Sequence, residues 1–169
     1  RVVPVEDRGQ LQRWVGLPYE LYRDAPNFVP QLRREQLVFF DARRNPSFQS
    51  AAVRLFLAER DGNPVGRVCG IVNSLETEKL GHRRGRFGWF ESVNDPAVAT
   101  ALLDAVRTWL VAQRCEEMTG PHGFTDLDVE GLLVEGFDEL PTISGSFNFP
   151  YYAALLEGYG LRKDADYVE

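Results

Sequence analysis

Apolar residues recur along this chain at two spacings, and the switch between them marks out the expected elements. Val2 to Val5 suits a short strand. From Asp7 to Tyr22 the apolar residues fall at Leu11, Trp14, Val15, Leu17, Leu21 and Tyr22, the three-and-four spacing of an amphipathic helix. Gly16-Leu17-Pro18 interrupts it: a proline inside a helix removes a donor and crowds the preceding turn, so a kink or two short helices are expected. Asp24 to Pro30 predicts a turn, and Leu32 to Phe40 a helix ended before Asn45-Pro46. From Ser50 the pattern becomes strand-like. Ala52–Glu59 and Pro64–Val72 flank Asp61-Gly62-Asn63, a hairpin signal with Gly62 free to take positive φ. Asn73 to Gly85 is polar and charged and predicts a mobile connector.

The second half is organised around Arg86 to Leu110. Arg86–Val93 is rich in aromatics and predicts a strand, Asn94–Thr100 a tight turn, and Ala101 onward a helix to about Gln113. Asn94 or Asp95 suits the N-cap, with Pro96 at the first helical position. A strand running through a small-residue turn into a helix leaves backbone N–H groups free, which makes an anion site. Glu116–Pro121 predicts another strand, and strand–helix–strand in this order forms a right-handed crossover. His122 to Phe147 is long and predicts a short helix around Asp128–Val134; such a connection is expected to be functional or a lid. Pro150–Gly158 predicts a helix and Leu161–Val168 a closing strand. There is no internal repeat, low-complexity tract or interdomain linker.

Composition narrows the classes. The chain has 169 residues, enough for one domain with a full core, and a formal charge of −6 that argues against non-specific nucleic-acid binding. Lys79 to Arg86 is a local basic patch. Cys69 and Cys115 lack metal-like or C-x-x-C spacing, as expected of packed thiols in a reduced, cytoplasmic protein. No apolar run reaches the ~18–20 residues of a membrane span and no signal peptide is visible. The first residue is Arg1 rather than Met, as expected of a trimmed or partial chain. The 12% aromatic content permits an apolar interface, and with it a homodimer.

The order of elements, with "FGWFESVNDPAVATALLDAV", "GP", "GLLVEGFDELP" and "YYAALLEGYG", resembles the GNAT acyl-CoA N-acyltransferases, in particular a poorly characterised bacterial branch whose members are often longer. The resemblance is clearest from Ser50 to Glu169. It implies an α/β (α+β) fold with a mixed, mostly antiparallel central sheet flanked by helices. Residues 1–169 then form a single GNAT-like domain, truncated or part of a longer two-domain protein, since the family has one more C-terminal strand. The family's Gln/Arg-x-x-Gly-x-Gly/Ala turn falls on Asn94–Ala99: Ala99 matches, Ala97 replaces a glycine, and Asn94 replaces Gln or Arg. The resemblance thus implies that acyl-CoA, acetyl or longer, places its pyrophosphate on Asn94, Ala97, Val98, Ala99 and Thr100 and its pantetheine beside Phe90 to Val93, Ser92 included. Pro96 withholds one donor there and Asp95 adds a negative charge. The Asn-x-x-Ala-x-x-x-Tyr-x-x-x-Gly-Phe segment of the family resembles Asn148–Leu161, but Leu156 stands where the thiolate-protonating tyrosine is expected.

Acyl transfer to an amine needs a carbonyl polariser, a proton acceptor and a thiolate acid. Strand alternation puts Phe87, Trp89 and Glu91 on one side and Gly88, Phe90 and Ser92 on the other. Glu91 is the candidate base, either in a pocket beside Trp89 or at the wet end of that face. His122, after Gly120-Pro121, is a second proton acceptor or a loop histidine. Tyr152 and Tyr151 are candidates for the acid and for lining the acyl or substrate pocket, or else pack in the core. Ser144, Ser146 and Asn148 form a polar run in which Asn148 contacts substrate or caps the last helix. Asp126, Asp128 and Glu130 alternate without a calcium-loop spacing, so no metal is expected. The implied activity is direct attack of a small-molecule amine on an acyl-CoA thioester. An acyl-carrier protein docked on Arg83, Arg84 and Arg86 is a further expected donor, and a catalytically inactive GNAT-like ligand- or partner-binding module is the alternative.

Overall fold

The computed structural model describes residues 1–125, 127–142 and 145–166. Five strands form one sheet in the order β1 (Val2–Pro4), β2 (Ala51–Arg60), β3 (Asn63–Asn73), β4 (Arg84–Ser92) and β5 (Glu117–Thr119). All neighbours are antiparallel except β4 and β5, which the crossover helix α4 (Pro96–Ala112) makes parallel. The β2–β3 hairpin turns on Asp61 and Gly62, both at positive φ, as a two-residue turn matched to strand twist requires. This is the mixed, mostly antiparallel α+β sheet expected from the sequence.

Each face of the sheet carries its own core. Val98, Ala99, Leu102, Leu103, Val106 and Leu110 form the buried stripe of α4, which packs with α5 (Tyr152–Tyr159) over Phe56, Val68, Phe87 and Phe90. Burial of such side chains contributes roughly 1.5–3 kcal/mol each. On the opposite face α1 (Arg8–Leu21) and α2 (Arg33–Phe39) bring Trp14, Val15 and Phe40 onto Leu57, Cys69, Ile71 and Phe124.

Several expectations need correction. Of the kink or two short helices expected at Pro18, the second does not form: α1 is continuous, started by a capping box between Asp7 and Gln10. Asn73–Gly85 is not a loose connector. Asn73 caps α3 (Ser74–Leu80), Gly81 closes it at positive φ, and Arg84 already belongs to β4. No helix forms at 128–134, and no strand forms at 161–166; residues 167 and 168 of that expected strand lie outside the described ones.

Glu59 ties the hairpin to α1. Its largely buried carboxylate accepts from Arg13 of α1 and from Arg1, and the Arg13 bond above all holds its pKa below the ordinary range. A depressed carboxylate stabilises the fold above its unfolded pKa of about 4.3 and loses that contribution as pH falls through the folded value. Both arginines are partly exposed, so screening keeps the contribution near 1 kcal/mol. Glu59→Gln is expected to lower urea-unfolding stability by about that amount at pH 7, with the gap to the parent closing toward pH 3.

Candidate functional site

The strand β4 is not regular where the site forms. Arg67 of β3 faces Glu91 and Cys69 faces Gly88, so Val68 alone stands opposite both Trp89 and Phe90. Trp89 takes φ 47°, the left-handed conformation of a bulged residue. The bulge shifts Phe87 onto the α4–α5 face with Phe90, whereas Trp89 packs with Phe39, Phe40 and Phe124 beneath α1 and α2. Uniform alternation, which put Phe87 with Trp89 and Glu91, therefore fails at one residue.

Glu91 is nearly buried and lies at the wall of a cavity of about 150 Å³, not at a solvated strand end. Val15, Pro18, Phe28, Trp89, Leu132 and Phe147 supply most of the apolar lining, and Arg67 and Glu91 supply its charge. The connection after β5 lines the cavity through Pro121, Val129, Gly131, Leu132 and Gly145 to Asn148. Glu91 Oε2 accepts from the hydroxyl of Tyr22, the residue that ends α1, and from Tyr152 at 2.8 Å. The two hydroxyl oxygens are 2.7 Å apart. Each hydroxyl has one proton, so Tyr152 donates either to the carboxylate or to Tyr22, and the three groups form a relay. Burial raises the Glu91 pKa, against which Arg67 and the two hydroxyls pull it down. Burial also pushes both phenols well up, so they remain neutral donors.

The open edge of β4 is occupied. The Ser92 amide donates to Tyr152 Oη at 3.1 Å and Tyr151 Oη donates to the Ser92 carbonyl at 2.8 Å. The turn into α4 is closed too, which corrects the expectation of free N–H groups. Asp95, the N-cap, accepts from Ala97 N at 2.9 Å with its side chain and from Val98 and Ala99 N with its carbonyl. Pro96 has no N–H, and the Asp95 carboxylate also pairs with Arg60. Val98 and Ala99 turn into the core, while Asn94, Ala97 and Thr100 are exposed. Asp95→Ser keeps a capping oxygen and removes the charge, so it is expected to cost under about 1 kcal/mol of stability and to raise CoA affinity several-fold in calorimetry if the pyrophosphate seats on this turn.

Other candidates fall away from the relay. His122 donates its backbone N–H to Phe87 O at 2.8 Å, while its ring lies 3.3 Å from Thr119 Oγ1 and 3.4 Å from Glu130. Asn148 does not cap α5; its buried amide bonds both Leu133 N and Leu133 O, pinning the lid at the cavity edge. Asp126 and Ser144 lie outside the described residues; among those described, no cluster of His, Cys, Asp or Glu is suited to hold a metal. Arg84 and Arg86 of the basic patch are engaged by Glu76 and Glu117. No described helix is long and apolar enough to cross a membrane. Two residues of the site, Tyr22 and Arg67, were not anticipated. Pro18 inside α1 and an arginine within the apolar run Val65–Val72 were the signals that marked them.

Solved structures of low sequence identity share this fold. Over all of this chain and 95% of its own, the aminoglycoside 6'-N-acetyltransferase AAC(6')-IG of Acinetobacter haemolyticus superposes with TM-score 0.61 at 11% identity. A predicted acetyltransferase from Clostridium acetobutylicum solved with acetyl-CoA gives 0.59 at 12% identity, covering all of this chain and 94% of that one. A tandem GNAT protein of clavulanic acid biosynthesis gives 0.62 at 16% identity over 95% of this chain and 43% of its own. The chain therefore shares the fold of these acetyltransferases. In sequence it is 32% identical to the protein YghO of Escherichia coli over 95% of its length, and 33% identical to the bacterial ceramide synthase of Caulobacter vibrioides over 98%. It spans 41% and 43% of those two relatives. No family model matches the sequence.

Proposed function

We propose that the chain carries the catalytic centre of an acyl-CoA-dependent N-acyltransferase, with Glu91 as proton acceptor. The observation that carries this reading is the Glu91 carboxylate, held by Tyr22 and Tyr152 at the wall of an apolar cavity beside the β4 bulge. An ammonium substrate gives a proton to Glu91, and the freed amine attacks the thioester carbonyl. As the carbon–sulfur bond breaks, Tyr152 donates its proton to the departing thiolate. The relay through Tyr22 then restores that proton from Glu91, and the acylated nitrogen gives its remaining extra proton to the freed Glu91 carboxylate and on to solvent. The acyl group ends on nitrogen and the enzyme is unchanged. Trp89 and Tyr151 shape the approach, and His122 takes no part in the step.

An acceptor with a hydrocarbon chain fits this cavity better than a polar sugar. Its walls include Val15, Phe28, Trp89, Leu132 and Phe147, and Val29 at its edge is well exposed, which leaves a way out for a longer chain. The ceramide synthase relative supports the same class, since a ceramide is the fatty amide of a long-chain amino alcohol. The test is thiol release from acetyl-CoA and from a long-chain acyl-CoA, with and without sphinganine. Amine-dependent release with the longer donor is expected; release with neither donor, by folded protein, overturns the reading. An acyl-carrier protein as donor rests on Arg83 alone among the three arginines, since the others are paired with carboxylates.

A second reading, a GNAT-shaped module that binds without turnover, is favoured by the occupied Ser92 backbone and by Asp95 closing the α4 turn. Calorimetry separates the two. Transferase action requires CoA thioester binding with release of the Tyr151 and Tyr152 contacts, and the module reading requires none.

A further inference from the structure

A proline at one position of an α-helix withholds the N–H that the carbonyl four residues earlier would accept. In α1 the proline is Pro18 and the carbonyl is that of Trp14, which accepts instead from Arg67 Nη1 at 3.1 Å. The guanidinium carbon lies 4.4 Å from the centroid of the Trp14 ring, itself buried, and Nη2 lies 3.5 Å from Glu91 Oε1. Arg67 is only 6% exposed, and its Nε has no hydrogen-bond partner among the described residues. A buried cation with an unmet donor is costly, and packing alone would be better served by a hydrophobic residue of similar volume. The carboxylate within its reach is Glu91, and both line the same cavity.

We propose that Arg67 is a positioning residue: docked on the Trp14 carbonyl that Pro18 leaves free, it holds Glu91 ionised and aimed along the cavity wall. The proposal rests on the reading of Glu91 as proton acceptor and names what keeps it competent. The groups around Glu91 are Arg67 from β3, Tyr22 from the end of α1, and Tyr152 with Tyr151 behind it from the α5 end. Of these only Arg67 is charged. Burial disfavours the Glu91 carboxylate, and Arg67 is the largest influence opposing it. Without that cation, burial acts against two neutral donors alone, and the Glu91 carboxyl is pushed further above its ordinary range.

The test is a carboxyl NMR titration of the chain labelled with carboxyl-carbon-13 glutamate, with the Glu91 signal assigned by its loss in Glu91→Gln. In Arg67→Met the Glu91 carboxyl is expected to titrate at least about one pH unit higher, with a smaller shift in Arg67→Lys. In Pro18→Ala the new N–H competes for the Trp14 carbonyl, so an intermediate shift is expected. The acid limb of the kcat/KM profile should move with the carboxyl in each variant. If Arg67→Met does not fold, the other two variants decide. A Glu91 titration unchanged in every folded variant overturns the proposal. Retention of transfer activity by Glu91→Gln overturns the catalytic reading instead, and leaves the carboxyl titration to judge Arg67 by itself.

Discussion

Replacing Glu91 by glutamine is expected to lower kcat for N-acyl transfer by about 10²–10³-fold, within the range that a positioned general base contributes. The amide oxygen still accepts from the tyrosine hydroxyls, so the shape of the site is kept while its basicity is removed. The parent rate should rise with pH through the folded pKa of Glu91, which burial sets above the ordinary carboxylate range. Glu91→Gln should lose that limb altogether. The variant also leaves Arg67 buried without its counter-charge, a cost of up to about 3 kcal/mol, so a thermal melt must accompany the kinetics. Calorimetry then separates chemistry from binding: acyl-CoA affinity is expected to stay within threefold of the parent, because nothing on the thioester side of the proposal uses the charge. Activity retained within about threefold would remove Glu91 from the reaction.

How far the sequence disclosed this arrangement depends on the range of each interaction. The β2–β3 hairpin and the β4–α4–β5 crossover were legible because periodicity and turn chemistry act locally. Glu91 was legible as a carboxylate on the central strand. Its setting was not, because Tyr22 lies 69 residues away, Tyr152 61 and Arg67 24. Phe87 was put on the wrong face since alternation assumes an unbulged strand, and a tryptophan at positive φ has no sequence signal. The helix runs on through Pro18 as the orphaned Trp14 carbonyl finds Arg67, a partner visible only in three dimensions. The open amides expected after β4 are absent because one residue, Asp95, serves as cap, acceptor and ion-pair partner together. Short α3 has little apolar stripe to detect, although its Asn73 cap and Gly81 stop were in view.

The largest structural effect is expected at Gly88, just before the bulge. A Cβ built there would lie 2.1 Å from the carbonyl oxygen of His122, a backbone atom with no rotamer to yield. That backbone cannot withdraw freely, because His122 N donates to Phe87 O at 2.8 Å and Pro121 O accepts from Gly131 N at 2.9 Å. Gly88→Ala must therefore push the start of the lid away from β4 and break at least one of these bonds. An overpacking cost of about 3 kcal/mol corresponds to a fall in Tm of roughly 6–12 °C for a chain of this size. Pro121 and Gly131 line the cavity, so the same displacement should open its wall and depress transfer together with stability. Circular-dichroism melts measure the first effect and amine-dependent thiol release the second. The contrast with Glu91→Gln lies in the pH profile, since that substitution removes the acid limb whereas Gly88→Ala leaves the carboxylate in place. A Gly88→Ala melt within about 1 °C of the parent would mean that the chain after β5 does not lie against β4, and the cavity wall described here would have to be redrawn.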